Sequence, residues 1–288
     1  MRNILCVTLI ALLGGCTSTS VTEKYQDKRN DIINVKDKVI EFETGNVLIG
    51  SVSRLYMSNK CLLIADHKSV DKQIHIFNKN DFSYLTSIGN FGEGPEEITV
   101  MGCLAIDEAH HQLYVSDHAK QKIFSYDMDS VMVDSLYKPQ VKTAMNETLF
   151  PSEYQYINDT LSIAVLIKPT STSTFNQFLG RWNMNTGEMI PMKYTHPDIQ
   201  KKRITFAASE KAGIYVECYT RHDLMTICSL DGELLYNIYG PDWDGGNGNK
   251  LQSFGTVMIG NDKIFVSYCG EDYARDSFPT KILVFDLE

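Results

Sequence analysis

The stretch that decides the fold is LAIDEAHHQLYVSDHAKQKIFSYDMD, residues 104–129. It contains three short runs rich in β-branched and aromatic residues, separated by turn residues, and this composition is typical of strands. The following segment, Val131–Leu136, predicts a fourth strand. The stretch therefore predicts one small antiparallel sheet of four strands.

The same unit recurs along the chain. Its second strand begins near Leu62, Leu113, Leu161, Ile214 and Ile264, with steps of 48 to 53 residues. Four strands that repeat about every 50 residues are typical of a β-propeller. A β-sandwich is the alternative fold, but it does not require equal steps. We therefore predict an all-β propeller of four-stranded antiparallel blades, with five blades visible and six possible.

The two ends of the predicted propeller domain suggest how its ring closes. The last unit ends at its third strand, and the segment Lys38–Glu43 alternates like a spare strand ahead of the first unit. Pairing this segment with the last blade would remove two exposed sheet edges, which are aggregation hazards. We predict closure by the N-terminal strand. A six-bladed relative that has lost its final blade is the alternative.

The N-terminus carries an export signal. A basic residue precedes a short apolar run over residues 4–13, which is too short for a permanent membrane span. Leu13–Cys16 resembles the lipobox of bacterial lipoproteins, a resemblance that implies cleavage before Cys16 and lipidation of that residue. An ordinary signal peptide is the alternative. We predict a signal peptide over 1–15, a lipidated Cys16 with a flexible tether over 16–37, and a propeller over 38–288.

Two segments carry a resemblance to known propeller families. Residues 104–129 resemble an NHL repeat, and residues 88–98 (IGNFGEGPEEI) resemble the linker that joins blades in NHL proteins. The chain therefore resembles the bacterial lipoproteins called TolB-like or six-bladed β-propellers. This resemblance implies a lipid-anchored propeller at the cell envelope, on the outer membrane or facing the periplasm. The family is defined mostly by its fold and implies little chemistry.

Charge and cysteine content exclude several classes of protein. The chain has 27 basic and 36 acidic residues, a net charge of −9, which disfavours nucleic acid as a partner. It has seven cysteines and no C-x-x-C pair. Without Cys6 and Cys16 the number is odd, so we expect buried thiols rather than a disulfide framework. We predict no metal site and no cofactor.

Turn lengths predict which face of the propeller carries the functional site. Connections between first and second strands, and between third and fourth, are tight turns, whereas the others are long, and long loops on a rigid scaffold usually carry function. His67 and His118 occupy equivalent positions on the long-loop face, each after an aspartate that caps a turn. A metal site at these histidines is therefore the weaker reading. The candidate binding residues on this face are His67, Glu93, His118, Arg221, His222, Trp243, Asp244 and Asp272.

The motifs favour binding over catalysis. Trp243 with Asp244 suits stacking against a sugar. The alternative interpretation of this loop is a degenerate copy of the linker between blades seen at residues 88–98. The sequence has no nucleophile elbow, zincin motif or P-loop. We predict a binding or scaffold module for a protein or glycan, with a carbohydrate-active enzyme (glycoside hydrolase or lyase) as the alternative and a structural envelope protein as the third reading. The enzyme would require acidic residues that converge from several inner strands.

Overall fold

Alternating apolar residues and tight turns build five small sheets, one per predicted unit. The computed structural model describes residues 21–29, 31–134, 136–247, 251–272 and 281–287. The signal peptide and Cys16 lie outside these residues. The first strand, β1 (Glu23–Tyr25), joins the fourth sheet. A single 3₁₀ turn follows at Lys36–Lys38.

The first three sheets each contain four antiparallel strands in chain order, which we call blades one to three. Blade one consists of β2 (Ser53–Met57), β3 (Cys61–Asp66), β4 (Lys72–Asn78) and β5 (Tyr84–Asn90). Blade two consists of β6 (Met101–Asp107), β7 (Gln112–Asp117), β8 (Lys122–Asp127) and β9 (Gln140–Ala144). Blade three consists of β10 (Phe150–Asn158), β11 (Leu161–Pro169), β12 (Phe175–Trp182) and β13 (Met189–Pro191).

The last two sheets complete the described fold. Blade four consists of β14 (Ile204–Ser209), β15 (Ile214–Tyr219), β16 (Leu224–Ser229) and β17 (Leu234–Tyr239), with β1 added in parallel to β17. Blade five consists of β18 (Leu251–Gly260), β19 (Lys263–Asp272) and β20 (Lys281–Asp286). The all-β propeller with repeated antiparallel blades is confirmed, with three described strands rather than four in blade five.

The prediction of a strand at Val131–Leu136 is wrong. Met128–Val133 forms α1, and the outer strand of blade two is β9 instead. Asp127 caps the helix, because its carboxylate accepts the backbone N–H of Ser130 at 2.7 Å. Such a cap satisfies one of the unpaired N–H groups of a helix start. A six-residue helix cannot cross a bilayer, and the described part of the chain contains no helix that could.

Apolar clusters fill the four spaces between consecutive blades. In β7, Leu113 and Val115 pack toward blade one, whereas Tyr114 packs toward blade three, as the two-residue period of a strand requires. Trp182 of blade three and Tyr215 of blade four are almost wholly buried in two of these spaces. The core of the molecule is therefore a set of layers between sheets, and blades two, three and four are each buried on both faces by their neighbours.

The space between blade five and blade one is open. No apolar cluster joins these two blades within the described ranges. Instead, apolar side chains on both sides of the opening are exposed: Leu55 by 68%, Met57 by 63%, Met258 by 59%, Ile282 by 66% and Val284 by 52%. Two blades that were packed together would bury such residues.

Closure by the segment Lys38–Glu43 is accordingly wrong. This segment forms no strand, and its Phe42 instead stacks on Phe82 of blade one with ring centres 4.5 Å apart. It covers part of the outer face of blade one, around Phe77. Contacts of Phe42 with Phe77 and Phe82 hold the segment against blade one.

The strand that does add to a sheet comes from the segment predicted as tether. Tyr25 stacks on Tyr239 with ring centres 4.6 Å apart, and the Tyr239 hydroxyl donates to Glu23 at 2.5 Å. Further along, Arg29 forms a bidentate pair with the buried carboxylate of Asp223, at 2.7 and 3.1 Å. Part of the predicted tether therefore packs against blade four and is not free of the propeller.

The cysteines behave as small buried apolar residues. The five described cysteines are unpaired and buried: Cys61, Cys103, Cys218, Cys228 and Cys269. Burial raises the pKa of Cys103 to about 12. A thiol with so high a pKa is a poor nucleophile at neutral pH. This outcome agrees with the expectation from their apolar, strand-like surroundings.

Candidate functional site

The two ends of the blades differ as turn lengths predict. Short turns connect β2 to β3 and β10 to β11, and the strand direction places them on one face. The opposite face carries longer connections, including residues 91–100, 192–203 and 240–247. The connection from blade two to blade three is shorter, because only residues 145–149 separate β9 from β10.

Aspartates at the end of the second strand hold this long-loop face together. Asp117 is fully buried, and its carboxylate accepts four backbone N–H groups, from Thr99, Val100, Ala119 and Lys120, at 2.8 to 3.2 Å. These bonds fix the loop that enters blade two and the turn that leaves its second strand. The turn-capping role expected for this aspartate is confirmed.

Asp66 repeats the arrangement in blade one. Its carboxylate accepts the N–H of Gly50 at 2.7 Å and that of Lys68 at 2.9 Å. Burial opposes ionisation of this carboxyl, but the backbone donors outweigh burial, and the pKa of Asp66 lies below its usual range. The residue after each aspartate is thereby placed at a fixed point beneath the long-loop face.

Those residues are His67 and His118. The Nδ1 atom of His67 lies 3.2 Å from the carbonyl oxygen of Met101, on the inner strand of blade two. The ring of His118 lies against Gly102, where a Cβ atom would sit only 2.3 Å from Nε2. Its other side meets Phe150 edge-on, with ring centres 6.0 Å apart. Both imidazoles are therefore wedged against inner strands.

Their outer nitrogens lack a protein partner. The Nε2 atoms of His67 and His118 are buried and have no hydrogen-bond partner among the described residues. Burial lowers the pKa of both rings, so each is neutral at pH 7 and offers Nε2 as a donor or an acceptor according to its tautomer. Buried polar atoms in native proteins are nearly always paired, often with water or a ligand.

A charged pair lies within electrostatic range of both rings. Arg54 on β2 donates to Glu153 on β10 at 2.7 Å, and both side chains are partly exposed. Burial disfavours the charged guanidinium, but Glu153 outweighs burial and raises the pKa of Arg54. The charges of Arg54 and Glu153 act on both histidines. We call Arg54, His67, His118 and Glu153 the channel cluster, because two of its members lie on inner strands.

Sequence reasoning missed Arg54 and Glu153. Each is the one charged side chain on its inner strand within the described residues, and such isolation on an otherwise uncharged strand is a signal that could have found them. The two residues come from blades one and three, so no local pattern predicts their contact.

A second group of predicted residues meets on blade four. Trp243 lies among Tyr239, His196 and His222, with ring centres 5.0, 5.6 and 6.0 Å away. The Nδ1 atom of His222 lies 3.6 Å from Asp244, and burial lowers the pKa of His222. Three ring contacts hold Trp243 in the packing of its loop, so its use as a sugar platform stays a prediction.

The remaining predicted residues lie apart from the channel cluster. Glu93 is exposed in the loop between β5 and β6, and Arg221 is exposed beside His222. Asp272 is half-buried at the end of β19. Among the described residues, no hydrogen bond or ion pair joins Glu93 to His67 or His118.

One group on the opposite face has the composition of a metal site. Ligand atoms of Asp107, His110 and Asp159 lie within 4.8 Å of one another. However, His110 is 2.8 Å from Asp107, and Asp159 accepts the hydroxyl of Tyr156 at 2.7 Å. The hydrogen bond that His110 donates to the Asp107 carboxylate raises the pKa of His110. Contacts within the protein thus account for this group.

The inner strands do not supply the acids that glycoside cleavage requires. Among the described inner strands, carboxylates occur only at Glu153, which is paired with Arg54, and at Asp107, at the short-turn end of β6. Glycosidases typically place two carboxyl groups about 5 to 9.5 Å apart across the bond that breaks. The described inner strands therefore lack the convergent acids that the enzyme alternative requires.

The fold and its repeated blades define a β-propeller. The chain belongs to a family described as 6-bladed beta-propeller (DUF5128), whose model matches residues 17–179. The described residues form five sheets. No curated protein matches the chain. The finer resemblance to TolB-like proteins and NHL repeats stays a prediction.

Solved structures share the fold at low sequence identity. One is the “Putative exported protein” of Bacteroides fragilis NCTC 9343, at 14% identity and a TM-score of 0.53, with 92% of this chain and 76% of that chain covered. Another is a DUF4221 member from Bacteroides vulgatus ATCC 8482, at 10% identity and a TM-score of 0.54, with coverages of 82% and 78%. Hydrazine synthase of Kuenenia stuttgartiensis has 10% identity, a TM-score of 0.51 and coverages of 86% and 67%.

Proposed function

We propose that the protein is a binding module of the bacterial cell envelope, anchored by lipid on Cys16, that binds a hydroxyl-rich ligand of the glycan class at the channel cluster. The lipobox-like stretch Leu13–Cys16 supports the anchor. The word exported in the name of the Bacteroides fragilis structure supports the location. The anchor and the ligand rest on different observations and are tested separately.

The observation that carries the proposed ligand is the pair of unpartnered imidazole nitrogens. Leaving one buried polar atom unpaired costs about 1–3 kcal/mol, so two on neighbouring blades are costly unless something else pairs with them. Together with Arg54 and Glu153 they offer donors and acceptors in close range. Sugar hydroxyls donate and accept hydrogen bonds and match such a mixed set. An apolar ligand would leave both imidazole nitrogens unpaired.

The test is calorimetric titration of the chain with a panel of soluble oligosaccharides. Replacing His67 and His118 by Phe keeps an aromatic ring of similar size and removes the ring nitrogens. We expect this double variant to lose binding, while His110→Gln, on the opposite face, keeps it. If no oligosaccharide binds, or if the double variant binds as the parent chain does, the proposed ligand is wrong.

The anchor has its own test. Mass spectrometry of the protein purified from bacterial membranes should find acyl chains on an N-terminal Cys16. The Cys16→Ala variant should then leave the membrane fraction. Recovery of an unmodified chain that is cleaved elsewhere would favour an ordinary signal peptide.

A further inference from the structure

A cleft lies between blades one and two, at the short-turn end and remote from the long-loop face. Its volume is about 450 Å³, within the range of small-molecule sites. Its walls come from the turn after β2, from the turn after β6 and from α1. The channel cluster contributes none of the lining residues, so the cleft is a separate feature.

The helix that replaces the predicted strand opens this cleft. Met128 and Met132 of α1 form one wall, opposite Leu85 of blade one. Leu63 and Leu113, both fully buried, form the floor. Methionine side chains are flexible and polarisable, and they adapt to ligands of different shape. The interior therefore suits an apolar body, either aliphatic or aromatic.

The rim of the cleft is acidic. Glu108 and Asp129 are exposed there, whereas the third carboxylate of the lining, Asp107, is buried. Lys60 and His111 are the basic side chains of the lining. Glu108 accepts the N–H of Asn59 at 2.7 Å, and Asp129 lies 2.8 Å from His111. A carboxylate has room for about four hydrogen bonds, so these contacts leave capacity for a further donor.

We propose that this cleft binds a small amphipathic cation, namely a molecule with an apolar body and one protonated amine. The apolar floor and the methionine wall hold the body, and the carboxylates of Glu108 and Asp129 receive the ammonium group. Both carboxylates belong to blade two, whereas Leu85 belongs to blade one. A bound ligand therefore bridges two blades.

Two probes of the same shape test the role of charge. Tryptamine carries an ammonium group, whereas tryptophol carries a hydroxyl in its place. Titration of the chain should show millimolar or tighter binding of tryptamine and weaker binding of tryptophol. Replacing Glu108→Gln and Asp129→Asn together should weaken tryptamine binding about fivefold to tenfold and leave tryptophol unchanged, because each exposed ion pair contributes little alone. The matched control, Glu188→Gln with Asp231→Asn, should change neither.

A second measurement locates the site. Cys61 lines the cleft, and burial raises the pKa of its thiol, so alkylation should be slow and should become slower still when tryptamine is bound. Leu85→Trp should fill the cleft and abolish binding of both probes. The proposal is overturned if neither probe binds, if tryptophol binds as tightly as tryptamine, or if Leu85→Trp leaves binding intact.

Discussion

A buried ion pair in blade four allows a quantitative test of the structure. The Nζ atom of Lys202 lies 2.8 Å from Oε1 of Glu217, and the two side chains are only 6% and 2% exposed. The same Nζ lies 5.7 Å from the centre of the Tyr219 ring. Replacing Lys202→Met keeps the apolar stem but leaves the Glu217 carboxylate buried without its cation. We expect the free energy of unfolding to fall by about 3–5 kcal/mol.

Replacing both partners separates the cost of breaking the pair from the value of having it. Lys202→Met with Glu217→Met removes both charges and fills similar volume. The double variant should be within about 1 kcal/mol of the parent chain or more stable, because desolvation of the two charges largely offsets their attraction. The single variant should therefore be the least stable of the three.

Urea unfolding, followed by tryptophan fluorescence, measures these differences. Lys193→Met is the control, because it breaks a pair of similar length with Glu233 in which both side chains are mostly exposed. This control should leave the unfolding midpoint unchanged. The reasoning is refuted if Lys202→Met costs less than about 1 kcal/mol, or if the double variant is as unstable as the single one.

Three further outcomes follow from the site. Asp117→Ala should lower the free energy of unfolding by about 2–4 kcal/mol in the same urea assay, because four backbone N–H groups lose their acceptor. A decrease of less than about 1 kcal/mol would contradict the stabilising role of these four hydrogen bonds. Gly102→Ala should cost about 1–3 kcal/mol, because the new methyl group meets the ring of His118, and His118→Ala in the same chain should restore part of the loss. Burial lowers the pKa of five histidines, namely His67, His75, His118, His196 and His222. The unfolded chain then binds more protons than the folded one below about pH 6.5. The urea concentration at the unfolding midpoint should therefore decrease as the pH is lowered from about 7 to about 5. A midpoint that increases over this range would contradict the burial of these rings.

The sequence predicts the blades well because the features that define a strand lie close together in the chain. Alternation of apolar residues and tight turns lies within a few residues of each strand, so the repeat fixes five sheets. The helix was missed because Val131 and Val133 favour strands, whereas the side chain of Asp127 caps a helix in this context.

The closure and the channel cluster depend on contacts between distant parts of the chain. Arg54 and Glu153 are 99 residues apart and meet only after blades one, two and three have packed together. Similarly, nothing in the alternation of Lys38–Glu43 indicates that Glu23 rather than this segment finds a sheet edge. The histidines were found from sequence because their spacing follows the repeat itself.

The docking of β1 sets how far the propeller can move from its proposed anchor. A free tether from Cys16 to Lys38 would reach about 75 Å when fully extended, whereas the chain from Cys16 to Glu23 reaches at most about 24 Å. With lipid on Cys16, the outer edge of blade four would stay within a shallow layer above the membrane. The propeller would then be attached to the membrane through blade four, where β1 pairs with β17. Such confinement raises its effective concentration toward any partner embedded in the same membrane.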